Sequence, residues 1–217
     1  MDMKQAMCEK HTVRKYTDEA IPKDIVSLLN ERVRWNNEHY GLSIKLITNN
    51  NTAIPRVIQL ILAKGVNNFF IMAGPKGADE FCGYCGADLM LYAQTLGLNT
   101  WWVGGTFNRK GVQKKSEGAT PVGIIAVGFG QTQGVPHKSK KASDVSAYEG
   151  DAPDWFKNGV EAALLAPTAL AKQAFSIRGK GNKVSISCDN GIFTGVDTGL
   201  VKYHFELGAG KGNFEWK

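Results

Sequence analysis

The chain has 217 residues, of which 43% are hydrophobic and 21% are charged, with a formal net charge of +6. This composition suits a globular protein with one sizeable core or two small ones, and no run of residues approaches the ~20 apolar residues of a membrane-spanning helix. Four scattered cysteines are too few for a disulfide framework, and the charged first ten residues lack an apolar signal segment, so we expect a cytoplasmic protein that does not act at a membrane.

Hydrophobic periodicity predicts interleaved helices and strands along the chain. The predicted helices span approximately 2–9, 23–36, 52–64, 79–96, 155–165 and 195–207. The predicted strands span approximately 42–48, 69–73, 121–130, 173–178, 183–187 and 213–216. Residues 99–115 read as a glycine-containing loop followed by a short helix. Interleaving of both element types favours an α+β or α/β fold over a helical bundle or a β-sandwich.

The chain divides into two halves that repeat each other. Residues 131–152 are polar and without periodicity, which is typical of a crossing linker, here with a basic cluster. Residues 89–97 and 200–208 share Leu, Tyr, Leu and Gly at identical spacing, and Pro22 and Pro153 both precede a helix. We therefore predict two related halves, 1–130 and 153–217, packed as one globular unit.

Cys82 and Cys85 form an isolated C-x-x-C pair. Such a pair is found in redox sites and in half of a zinc site, but zinc needs two further ligands and the four histidines show no paired spacing. The alternative is that both are residues at the start of a helix, at positions that tolerate any small side chain. We predict no metal site.

Clusters of basic residues raise the question of an anionic partner. Lysines at 114–115 and 138–141 have no interleaved aromatic residues and no helix carries a basic stripe, so a nucleic-acid-binding domain is the weakest alternative. A second alternative is that the lysines only form a solvated surface. A third is that the basic residues bind the phosphate of a small cofactor, because the loop with Lys10, His11, Thr12 and Arg14 offers several charged donors between two helices.

Three stretches together resemble the nitroreductase family of FMN-dependent oxidoreductases. Residues 10–29, "KHTVRKYTDEAIPKDIVSLL", are similar to the family's opening motif, and 88–105, "DLMLYAQTLGLNTWWVGG", resemble its later helix and loop. Residues 121–145 are similar to its final strand and basic tail. The whole layout resembles a divergent branch in which two half-units share one polypeptide. The resemblance implies an α+β fold with a central, mostly antiparallel sheet flanked by helices, and an internal pseudo-two-fold duplication.

The resemblance also implies where FMN would bind. The family's ring-side turn matches 166–175, "APTALAKQAF", in the second half, whereas the corresponding place in the first half holds "VRWNNEHYGL". The residues implied to hold the phosphate and ribityl chain are Lys10, His11, Thr12, Arg14, Lys138 and Lys140. Those implied to line the ring are Pro167, Thr168, Ala169 and Gln173, with the backbone of Gly104 and Gly105 at its N5 edge.

Two departures from the family pattern weaken ring recognition. Ala171 stands where the family has an asparagine, and Phe175 stands where it has a tryptophan. Lys172 is either a replacement cation near the ring or an exposed lysine at a turn. Trp101 and Trp102 either stack on nicotinamide or a flat substrate, or belong to the core, and we expect one of each.

The implied function is hydride transfer from NAD(P)H through FMN to a nitroaromatic, quinone or similar acceptor by ping-pong turnover. No catalytic side chain is predicted, because the flavin performs the chemistry. The main alternative is a flavin-binding protein without turnover. The first half has the basic loop and the second half has the ring-side turn. We therefore expect one FMN per chain and a protein able to act as a monomer through an internal pseudo-dimer.

Overall fold

A computed structural model describes all residues, 1–217, and contains eight helices and eight strands. The helices are α1 Met3–Glu9, α2 Lys23–Tyr40, α3 Arg56–Ile61, α4 Asp79–Thr95, α5 Arg109–Gln113, α6 Ala142–Val145, α7 Asp154–Ala163 and α8 Thr194–Ala209. The strands are β1 Lys45–Ile47, β2 Phe69–Gly74, β3 Asn99–Val103, β4 Thr120–Gly128, β5 Ser146–Glu149, β6 Phe175–Lys180, β7 Lys183–Cys188 and β8 Glu215–Trp216. No helix is both long enough and apolar enough to cross a membrane.

The strands form two four-stranded sheets. The first has the order β1-β2-β4-β3 with all pairs antiparallel, so that Phe70 lies opposite Ile125. The second has the order β5-β6-β7-β8, in which β6 and β7 form an antiparallel hairpin and the outer strands pair in parallel. The predicted α+β class, with antiparallel sheet flanked by helices, is confirmed, and the division into two sheets adds to it.

Helices α4 and α8 lie side by side in the large core that joins the two sheets. They run parallel, because Gly195 lies beside Asp79 and, one turn later, Gly199 lies between Glu80 and Tyr84. A Cβ on Gly199 would lie 1.9 Å from the Glu80 carbonyl oxygen, so only glycine allows this approach. These are the two helices whose sequences repeat, but the duplication itself stays a prediction.

Several boundaries differ from the predicted ones for local reasons. Helix α2 continues to Tyr40 and ends where Gly41 adopts a left-handed φ of 62°. Helix α3 begins only after Pro55, because a residue before proline is excluded from helical geometry. The predicted loop at 99–103 is strand β3, and the predicted linker at 131–152 contains both α6 and β5.

Candidate functional site

The basic loop 10–16 lies along the outer edge of β3. The Val13 amide donates to the Thr100 carbonyl at 3.2 Å, which adds the loop to the edge strand of the first sheet. On its other side, the Gln131 amide donates to the Lys15 carbonyl at 2.9 Å, and the buried Tyr16 hydroxyl donates to the Val13 carbonyl at 2.7 Å. These bonds fix the loop where β4 leads into the basic tail.

Lys10 is a partly buried cation without an anionic partner. Burial lowers its pKa from 10.5 to about 8, and no carboxylate lies within ion-pair distance of it. It lies near His204 of α8, whose pKa falls to about 4 mainly through burial and which is therefore neutral at pH 7. The buried Thr100 hydroxyl, in the residue paired with Thr12, also has no hydrogen-bond partner. Lys10 is therefore the unpaired charged group that this part of the loop offers to a ligand.

Arg14 lies on the opposite face of β3 from Lys10. Its guanidinium carbon is 5.6 Å from the centre of the Trp101 ring, and Trp101 belongs to the smaller core on the face of the first sheet away from α4 and α8. His11 and Thr12, between the two cations, are half-buried. The structure therefore brings Lys10 and Arg14 into one loop but not onto one face, and their sharing of a phosphate stays a prediction.

The turn after α7 has an unusual backbone. Leu170, Ala171 and Gln173 adopt positive φ angles of 55°, 53° and 48°, which residues other than glycine rarely do. Inside the turn, the Gln173 amide donates to the hydroxyl of the buried Thr168 at 3.1 Å. Such a conformation persists only where surrounding contacts hold it, and it recurs at binding sites.

The basic tail and the turn meet at Gln173, which is buried. The Lys140 amide donates to the Gln173 side-chain oxygen at 2.7 Å, and the Lys140 ammonium donates to the Gln173 carbonyl at 2.9 Å. The side-chain nitrogen of Gln173 donates to the Leu164 carbonyl at 2.7 Å. The structure thus joins the basic tail and the turn, which the sequence assigned to one site. The Gln173 side chain bonds to the tail, whereas the sequence analysis placed it against the flavin ring. Lys138 and Lys172 are both exposed.

The first turn of α8 connects the turn after α7 to the glycine loop after β3. Phe193, at the start of α8, packs so closely on Gly104 that a Cβ there would lie 2.5 Å from its ring, while Gly105 is exposed and more open. Both carboxylate oxygens of Asp197 accept from the Ala169 amide, at 3.0 and 3.2 Å. Burial raises the pKa of Asp197 to about 6, and the bond from Ala169 opposes the rise.

Sequence reasoning missed Phe193 and Asp197. Phe193 directly precedes the predicted helix, and Asp197 lies in its first turn. An acidic residue is common there because it interacts favourably with the helix dipole. Nothing in their spacing points to a loop more than twenty residues away. Pro167 and Ala169, which the sequence did assign to the site, lie half-buried in the turn.

The two tryptophans occupy different environments. Trp101 is buried in the smaller core, whereas Trp102 is half-buried and packs its ring on Gly86 of α4. Only Trp102 is thus open enough to contact a ligand.

Cys82 and Cys85 are buried in α4, and burial raises the pKa of both thiols, that of Cys82 to about 12. This placement matches the packing alternative. No group of three or more His, Cys, Asp or Glu residues is arranged to hold a metal ion.

Comparison with protein families decides the relationship. The model of the family described as "Putative TM nitroreductase" matches residues 2–209. The chain belongs to this family. No curated protein matches the chain.

Solved structures of nitroreductases have the same fold as this chain. A nitroreductase of Thermotoga maritima is 19% identical and superposes with a TM-score of 0.68, over 97% of this chain and 85% of that one. A Desulfovibrio desulfuricans nitroreductase in complex with FMN is 17% identical, with a TM-score of 0.50 over 70% of this chain and 98% of its own. An NADH dehydrogenase/NAD(P)H nitroreductase of Parabacteroides distasonis is 16% identical, with a TM-score of 0.52 over 66% and 95%.

Proposed function

We propose that this nitroreductase-family protein is an FMN-dependent oxidoreductase. The observation that carries the proposal is a series of adjoining segments: the loop with the unpaired Lys10 along the edge of β3, Gly104 at the end of β3, and the turn at Ala169, which the start of α8 connects to Gly104. The Desulfovibrio desulfuricans structure of similar fold was determined in complex with FMN, which supports this choice of cofactor. When bound, FMN would supply hydride transfer at its N5 position.

The residues present fit a phosphorylated cofactor. Lys10, a cation without an anionic partner, would gain one in the phosphate, which favours binding. His11, Thr12 and Arg14 would assist from the same loop, and Lys138 and Lys140 from the tail.

The far end of β3 suits the flat ring of the cofactor. Strand β3 spans five residues, roughly 17 Å at about 3.3 Å per residue, so its two ends suit an extended cofactor. At the N5 edge, the exposed backbone of Gly105 would allow close approach, with Gly104 beside it packed on Phe193. Pro167, Thr168 and Ala169 would line the ring, with Gln173 fixing the tail against the turn, and Lys172 and Trp102 are the side chains free to reach the ligands.

We infer that NAD(P)H is the electron donor and that a nitroaromatic, a quinone or a similar flat compound is the acceptor. The test is steady-state oxidation of NADH and NADPH by purified, FMN-loaded protein with a quinone as acceptor. Turnover requiring FMN supports the proposal. Flavin binding without turnover would instead support the flavin-binding alternative, which the Ala171 departure motivates.

A nucleic-acid-binding protein would behave differently in two measurements. Binding to nucleic acid would give an affinity that falls steeply with salt, and a colourless purified protein. A cytoplasmic location stays a prediction.

We further propose a single flavin site in each chain, formed by an internal pseudo-dimer. At the end of α2, where a second ring-side turn would lie, Tyr40 packs at 5.7 Å on Phe81 and at 5.5 Å on Tyr84. The adjoining cavity measures only about 130 Å³, and its charged side chains are already paired, Arg32 with Asp88 and Lys211 with Glu206. It is too small for a flavin and leaves no unpaired cation for a phosphate, so one site per chain is expected.

A further inference from the structure

The segment 169–171 is joined to the rest of the protein by few hydrogen bonds. The amides of Ala171 and Lys172 bond only to carbonyls within the turn, so the bond from the Ala169 amide to Asp197 is the one that reaches another element. The side chain of Leu170 is 86% exposed and adds no packing. The left-handed segment is therefore held by Asp197 on one side and by the buried Gln173, bonded to Lys140 and Leu164, on the other.

Asp197 lies on the turn of α8 that also carries the contact to the glycine loop. Phe193 packs on Gly104 just before α8 begins, and Asp197 donates no bond but accepts the Ala169 amide one turn later. One helical turn thus sets the distance between the two segments proposed to flank the flavin ring. A change in the charge of Asp197 would act on the turn without altering any group that contacts the ligand.

We propose that Asp197 is a positioning residue that holds the ring-side turn in its binding conformation, so that its ionisation controls flavin affinity. This proposal rests on the proposed function. The charged carboxylate makes a stronger, charge-assisted bond to the Ala169 amide than the neutral acid does. Because burial raises the pKa of Asp197 to about 6, the stronger bond is present above pH 6 and is lost as the pH falls through that value.

Cys188 on β7 interacts with Asp197, and the acidic groups that act on the same thiol are Glu80 and Asp189. Cys188 on β7 has a pKa raised by burial, so its thiol stays neutral. Glu80 on α4 is paired with Lys202 at 2.5 Å. Asp189, in the loop before α8, is exposed and its side chain accepts no hydrogen bond, which makes it a matched control for loss of a nearby negative charge.

The test is the FMN dissociation constant between pH 5 and 8 for the wild type and three variants. We expect wild-type affinity to fall roughly five- to tenfold below pH 6, the difference between a charge-assisted and a neutral hydrogen bond. Asp197→Asn should bind like the low-pH wild type at every pH, because its amide oxygen still accepts from Ala169. Asp197→Ala should bind more weakly still, and Asp189→Asn should keep the wild-type pH profile.

Amide hydrogen exchange in the flavin-free protein supplies a second readout. The Ala169 amide should be protected in the wild type, clearly less protected in Asp197→Asn, and should exchange freely in Asp197→Ala. The proposal is overturned if Asp197→Asn keeps a break near pH 6, or if Asp197→Ala leaves both protection and affinity unchanged. If the wild type binds no FMN, the proposed function fails, whereas exchange at Ala169 still decides whether Asp197 holds the turn.

Discussion

Replacement of Lys10 by methionine tests two effects of its buried charge: a lower stability of the flavin-free protein and a higher affinity for FMN. Methionine keeps the apolar stem and removes the ammonium. A pKa lowered from 10.5 to about 8 corresponds to about 3 kcal/mol of unfavourable burial, at about 1.4 kcal/mol per pH unit. Lys10→Met should therefore stabilise the flavin-free protein by up to about 3 kcal/mol at pH 7. Urea denaturation measures this difference.

The pH dependence of this effect follows from the direction of the pKa change. Because the folded-state pKa of Lys10 is lowered, its destabilising contribution is complete below about pH 8 and is relieved as the pH rises toward 10.5. The stability difference between Lys10→Met and the wild type should therefore shrink over that range.

The same substitution should have the opposite effect on FMN affinity. Loss of a charge-assisted hydrogen bond costs about 1.5 to 3 kcal/mol, or roughly ten- to a hundredfold in the dissociation constant, which fluorescence titration measures. Lys4→Met, at an exposed position of α1, is the matched control and should change neither quantity. A less stable Lys10→Met protein that binds FMN as well as the wild type would refute the reasoning.

Three further substitutions test other parts of the structure. Arg14→Ala should weaken FMN binding by about 1.5 to 3 kcal/mol with the fold intact. Lys64→Ala should have no effect, because it removes only an exposed side chain and keeps the backbone bond from Lys64 to the Arg14 carbonyl; equal flavin retention in both would remove Arg14 from the phosphate site. Arg32→Met should destabilise the protein by about 2 to 4 kcal/mol in urea denaturation, because the buried Asp88 loses a partner at 2.7 Å, while FMN affinity stays unchanged. Gly104→Ala should cost about 1 to 3 kcal/mol of stability, since its methyl group would overlap the aromatic ring packed there; an unaffected unfolding midpoint would contradict that packing.

Elements with a clear hydrophobic pattern could be predicted from the sequence, and those defined by distant partners could not. Strand β2 is a continuous apolar run buried on both faces, so its composition alone identifies it. Strand β3 was missed because its polar start and the following glycines resemble a loop, although its tryptophans pack into opposite cores. Strand β5 has half of its residues exposed and exists only through parallel pairing with β6.

The candidate site likewise has parts that the sequence predicts and parts that it does not. The basic loop around Lys10 and the turn around Ala169 were identified because their residues match a family pattern. The tie between Lys140 and Gln173 was predicted only as membership of one site, since hydrogen bonds across 33 residues leave no periodicity. Asp197 was missed because its role depends on the path of the turn after α7 and not on its own neighbours in the sequence.

One FMN site built from both halves of this nitroreductase-family chain fixes both the flavin stoichiometry and the smallest active particle. Titration of the purified protein with FMN, followed by absorbance and combined with light scattering, measures both quantities. We expect saturation at one FMN per chain, in particles with the 23.6 kDa mass of a single chain. Absence of saturable FMN binding would contradict the claim, as would two FMN molecules per chain.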